Sequence, residues 1–84
     1  MERDTATNKE IDKILEKIAD TIDTRITRKG KSKWVGPHEI LGNMTEEYDE
    51  LLDAVHANDK NGVKEELMDI LIVALWGLIS LNKS

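Results

Sequence analysis

Residues 70–81, ILIVALWGLISL, put apolar side chains on every face of any helix they form. An amphipathic helix needs one covered stripe, whereas a helix apolar all round needs cover on all sides. The run is twelve residues long and includes Gly77 and Ser80, while a bilayer span takes about 20. No membrane partner is expected, and the cover has to come from protein. The chain has 84 residues and no cysteine, so it reads as one small domain, 1–84, without disulfides or zinc thiolates to hold it together. Two other helices from so short a chain do not easily surround a third. The remaining faces are expected to meet further copies, in a homo-oligomeric helix bundle (dimer or tetramer) with Leu75 and Ile79 in its core or interface.

Local signals divide the chain into three helices. Thr7-Asn8-Lys9-Glu10 has the spacing of a capping box, so residues 1–6 are expected to fray and the first helix to occupy 7–29. Ile11, Leu15, Ile18, Ile22 and Ile26 form its apolar stripe. Gly30 is the stop signal, with Arg28 and Lys29 suiting the negative end of the helix dipole. A basic loop, 30–36, carries Lys31, Lys33 and Trp34. Pro37 fits the first turn of a second helix over 37–58, where its missing N–H costs nothing. The turn cluster 58–62 offers Asp59 and Asn61 as caps for a third helix over 62–82. The fold class expected is all-α.

Five acids have a spacing that plain surface charge does not require. Glu47 and Glu50 are three residues apart, as are Glu66 and Asp69, which puts each pair on one helical face. Fifteen residues separate Glu50 from Glu66, enough to end one helix, turn, and begin an antiparallel one. At about 100° per residue, Asn43, Glu47 and Glu50 form a polar row beside the apolar arc of Ile40, Leu41, Met44, Tyr48, Leu51, Leu52 and Val55. Glu46 points further away. Two such helices side by side would gather four carboxylates, a set that raises pKa values or draws in a hard divalent cation, Mg²⁺ above all. The net charge of −5 argues against a nucleic-acid polymer as partner. A polar, charged N-terminus without an apolar segment suggests no signal peptide and a cytoplasmic location.

The order Glu46-Glu47-Tyr48-Asp49-Glu50, fifteen residues, Glu66-Leu67-Met68-Asp69 resembles the EExxE and ExxD signature of the MazG-like all-α nucleoside triphosphate pyrophosphohydrolases. The resemblance covers roughly residues 38–80. It implies Mg²⁺-dependent cleavage of an NTP or dNTP to the monophosphate and pyrophosphate, with Mn²⁺ as a substitute ion. It also implies that Glu47, Glu50, Glu66 and Asp69 hold the metal. Glu46 and Glu47 are the candidates for catalysis, since a carboxylate not spent on the ion can act as general base. Some members have a fourth helix that these residues are not expected to supply, so a neighbouring subunit is expected to close the pocket.

Lys31 and Lys33 are candidate phosphate contacts in an otherwise acidic chain, or plain loop charges. Trp34 is a candidate stacking platform for the base, or a packing plug over the helix ends. Asn43 and His38 are candidate substrate contacts, and His38 equally suits the helix start. The competing reading is a non-enzymatic oligomeric adaptor or antitoxin-like partner. It accounts for the apolar third helix, but not for two acid pairs at matched distance from their core stripes.

Overall fold

The computed structural model describes residues 3–82; residues 1 and 2, within the stretch expected to fray, and residues 83 and 84 lie outside the described residues. Three helices follow one another: α1 (Asn8–Lys29), α2 (Pro37–His56) and α3 (Lys60–Leu81), with no strand among the described residues. They divide into two compact units, residues 1–31 and residues 32–84.

In the first unit, the capping box forms. The Thr7 N–H donates to Glu10 Oε1 at 2.9 Å, and the Glu10 N–H donates to Thr7 Oγ1 at 3.2 Å. Two of the donors that a helix start leaves without partners are thereby satisfied. The Thr7 N–H, followed by the Thr7 hydroxyl, which donates to Glu10 Oε1 at 3.1 Å, holds the Glu10 carboxyl below the ordinary range. Gly30 closes the helix at φ 80°, a conformation that a side chain would strain, and its N–H donates to the Ile26 carbonyl at 2.8 Å. Ile11, Ile14 and Leu15 stay exposed, so the N-terminal half of the stripe is uncovered.

The second unit is a hairpin of α2 on α3. Asp59, not Asn61, caps α3: its Oδ1 accepts from the Gly62 N–H at 3.0 Å. A Cβ at Gly62 would collide with that carboxylate, so the cap and the glycine require each other. Asn58 turns the chain at φ 55°, the left-handed region that asparagine tolerates better than most residues. The turn is accordingly tighter than the 58–62 cluster suggests. The two helices come close where Gly77 faces Ile40: a Cβ at Gly77 would lie 3.2 Å from Ile40 Cγ2. Gly77, Ile72 and Val73 are buried on α3. Cover around α3 is nevertheless incomplete, with Leu78 at 73% exposure and Ile79 at 38%.

The loop before α2 is fastened to the far end of α3 by two reciprocal hydrogen bonds. The Trp34 N–H donates to Ser80 Oγ at 3.0 Å, and the Trp76 Nε1–H donates to the Ser32 carbonyl at 2.9 Å. Ahead of α2, where Gly36 has no side chain to offer as cap, the Val35 N–H donates to Glu39 Oε2 at 3.1 Å.

Candidate metal centre

Each acid pair sits where its helix meets the other. Glu47 and Glu50 lie in the middle of α2, Glu66 and Asp69 in the first half of α3, and the antiparallel hairpin sets them level. One carboxylate oxygen from each of the four lies within 4.8 Å of the others. Glu47, Glu66 and Asp69 are half-buried and Glu50 is exposed, so the cluster opens to solvent on one side.

Crowding of like charge has the expected electrostatic effect. Glu50 is pushed above the ordinary carboxylate range by a hydrogen bond to Glu66, then by the Glu66 charge, with smaller pushes from Glu46 and Asp69. Glu66 is also raised, first by loss of hydration and then by its hydrogen bond to Glu47. The bond from Glu50 works the other way on Glu66, lowering it, but the balance stays upward.

The donor set fits a hard divalent cation. All four ligand atoms are carboxylate oxygens, the type that Mg²⁺, Mn²⁺ and Ca²⁺ prefer over softer metals. Glu66 Oε2 is buried without a hydrogen-bond partner, a costly condition that a cation would relieve. A metal would also offset the like-charge repulsion that raises Glu50 and Glu66.

The other sequence-derived candidates are not among the four converging acids. Glu46 is exposed and is not one of the four converging acids, although its charge reaches Glu50. Asn43 is half-buried one turn before Glu47, and its Nδ2 donates to the Glu39 carbonyl at 2.9 Å, which leaves its amide oxygen to other partners. His38 is exposed in the first turn of α2, and Lys33 is exposed in the loop. Lys31 is exposed at the end of the first unit. Trp34 is half-buried with its backbone on Ser80, eleven residues or about 16 Å along α3 from Asp69. Sequence reasoning passed over Ser32 and Ser80. Ser80 carried a signal: it follows Val73 and Glu66 at seven-residue intervals, a polar position on the row that faces α2.

Residues 35–81 match the family model described as the MazG nucleotide pyrophosphohydrolase domain. The chain belongs to that family. The match spans more than half of the chain, including both helices of the hairpin and all five motif acids. No curated protein and no solved structure matches the chain. Of the candidate substrate contacts, His38 and Asn43 lie inside the MazG match, while Lys31, Lys33 and Trp34 precede it. Among the described residues of this MazG chain, no helix is long and apolar enough to cross a membrane.

Proposed function

We infer that the protein is a Mg²⁺-dependent nucleoside triphosphate pyrophosphohydrolase, cleaving an NTP or dNTP between the α- and β-phosphates to the monophosphate and pyrophosphate. One observation carries the reading: four carboxylates converge within 4.8 Å at a helix seam, in a chain of the MazG nucleotide pyrophosphohydrolase family. Glu47, Glu50, Glu66 and Asp69 would hold the ion, with Mn²⁺ as a substitute. When bound, the ion supplies neutralisation of phosphate charge and acidification of water. Attack by water requires a proton acceptor, and Glu46 or Glu47 takes that role. Glu46 has the advantage of standing outside the four converging acids, and its solvent exposure leaves it free to pass the proton on.

Substrate contacts follow from chain position and chemistry. Asn43, on α2 between the acids and the loop, presents its amide oxygen to the nucleotide. Lys33, Lys31 and His38 offer cations or donors to phosphate in an acidic chain, and Trp34 offers an aromatic face to the base. A nucleotide-pool role in the cytoplasm is the setting we attach to this activity, with the whole chain acting as one MazG-like domain.

The test is a panel of NTPs and dNTPs with Mg²⁺ or Mn²⁺, with products resolved as monophosphate, pyrophosphate and inorganic phosphate. Equal release of monophosphate and pyrophosphate, abolished by a chelator, is the expected result. Release of inorganic phosphate alone, or no turnover with any substrate, would refute the assignment.

A further inference from the structure

The start of α3 carries a reactive dipeptide that the metal centre does not use. Asn61 is followed by Gly62, the pairing that leaves an asparagine side chain most open to attack by the next backbone nitrogen, because glycine has no side chain in the way. Asn61 is exposed, and both residues lie in the first turn of α3. Deamidation at such a bond needs only water. The Gly62 nitrogen attacks the carbonyl carbon of the Asn61 side chain and loses its proton to solvent as the new C–N bond forms. The side-chain nitrogen takes up a proton from solvent and leaves as ammonia. Water then opens the cyclic imide at one carbonyl or the other. The product is aspartate, or an isoaspartate whose backbone is longer by a methylene.

The fold closes that route. The Gly62 N–H donates to Asp59 Oδ1 at 3.0 Å, and the Val63 N–H donates to the Asp59 carbonyl at 2.9 Å. The electron pair freed when Gly62 loses its proton points where the N–H pointed, at a carboxylate of the same charge. Attack also requires the Asn61 backbone to leave its helical conformation, so that the Gly62 nitrogen swings toward the side chain. Both obstacles vanish when the first turn opens, and helix ends open more readily than helix centres. The cap also accounts for the glycine, since a Cβ at position 62 would collide with the Asp59 carboxylate. The contact that protects the bond is thus the one that requires the reactive residue.

We propose that Asn61 is a site of spontaneous deamidation, gated by the Asp59 cap, and that its isoaspartate product unfastens the start of α3. An added methylene between Asp59 and Gly62 moves the capped N–H off its acceptor and leaves donors of the first turn without partners. Glu66 stands five residues beyond Asn61, about 7.5 Å along the helix axis. Fraying from the modified turn therefore reaches Glu66 before Asp69, and withdraws the half of the metal centre that α3 supplies. Asn58, in the same turn but followed by Asp59, lacks the unhindered neighbour and stays outside this chemistry.

Peptide mass spectrometry of the full chain, aged in mildly alkaline buffer with and without denaturant, tests the proposal. Asn61 is expected to convert at least about tenfold more slowly in the folded protein than in the denatured chain, the difference that local opening imposes. Isoaspartate should be the main product, and Asn58 should stay largely unmodified in both samples. Asp59→Ala should speed conversion in the folded protein about fivefold, the factor by which a lost N-cap favours the open turn. Asp59→Ser keeps a capping oxygen and should stay near the wild-type rate; it carries the comparison if Asp59→Ala fails to fold. Ageing should lower the melting temperature of the wild type and leave that of Asn61→Gln unchanged. Conversion as fast in the folded wild type or in Asp59→Ser as in the denatured chain overturns the gate. An Asn61 that survives ageing in denaturant overturns the site, and a converted protein that melts like a fresh one overturns the effect on α3.

Discussion

Glu50 and Glu66 are hydrogen-bonded to one another across the seam between α2 and α3, and both titrate above the ordinary carboxylate range. Two carboxyl groups in that relation share a proton when no cation is present. Each of these carboxyl groups therefore keeps its proton to higher pH in the folded protein than in the unfolded chain, which couples the site to stability.

The first prediction is a pH dependence. A carboxyl whose pKa is raised by folding stabilises the fold fully below its unfolded value, and that contribution is lost as pH rises through the folded value. The metal-free melting temperature should fall as pH climbs from the ordinary carboxylate range, near 4.3, through the raised values of Glu50 and Glu66. Millimolar Mg²⁺ should flatten the fall by replacing the proton. Scanning calorimetry against pH, with and without Mg²⁺, checks both parts. A metal-free stability that rises over the same window would contradict the shared proton.

Glu50→Gln and Asp69→Asn should abolish turnover while leaving the metal-free fold intact or more stable. Each removes one charge from a crowded set and one oxygen from the ion. Loss of activity should exceed the roughly 10–100-fold that outer-shell partners of metal ligands typically cost. The Mg²⁺-induced rise in melting temperature should vanish too. A variant that unfolds yet keeps its activity per folded molecule would make these acids structural.

Gly77→Leu should destabilise the hairpin by about 1–3 kcal/mol, the usual cost of forcing bulk into a close contact. Even a Cβ there lies 3.2 Å from Ile40, with no slack for a larger side chain. Denaturant melting measures the loss. An unchanged midpoint would mean that the helices separate freely at this point.

For the loop, Trp34→Ala should raise KM by roughly ten- to a hundredfold if the indole stacks on a base, since such stacking contributes about 1–3 kcal/mol. The backbone tie to Ser80 survives that substitution, so a KM effect is not a loss of the loop's anchor. Trp34 fluorescence should be quenched by nucleotide plus metal in a Trp76→Phe background. That background itself loses the bond to Ser32, worth about 0.5–1.5 kcal/mol. Unchanged KM and no quenching would leave Trp34 as packing against α3.

Helix ends and the acid pairs were the most legible features of the sequence. Thr7 with Glu10, Gly30, and Pro37 act through local chemistry that needs no knowledge of neighbours. The i, i+3 spacing of Glu47 with Glu50 and Glu66 with Asp69 likewise predicts a shared face, and the hairpin brings the two faces together. What depends on partners was harder to read. A helix apolar all round predicts cover on all sides, and the single chain leaves Leu71 and Leu78 exposed, because hydropathy alone does not say which face a given neighbour covers. The fastening of the loop to Ser80 spans 46 positions, and no local pattern could announce it. Glu46 shares its motif with Glu47 but not its direction, which the angular step of a helix had already indicated.

The three-residue link between His56 and Lys60 has a kinetic consequence. Hairpin contacts across so short a loop close early, because little chain entropy has to be lost before they form. The four carboxylates are thus driven together while the chain is still folding, and their repulsion acts on the barrier as well as on the native state. Divalent cations or mild acid should therefore speed the folding of this hairpin as well as stabilise it.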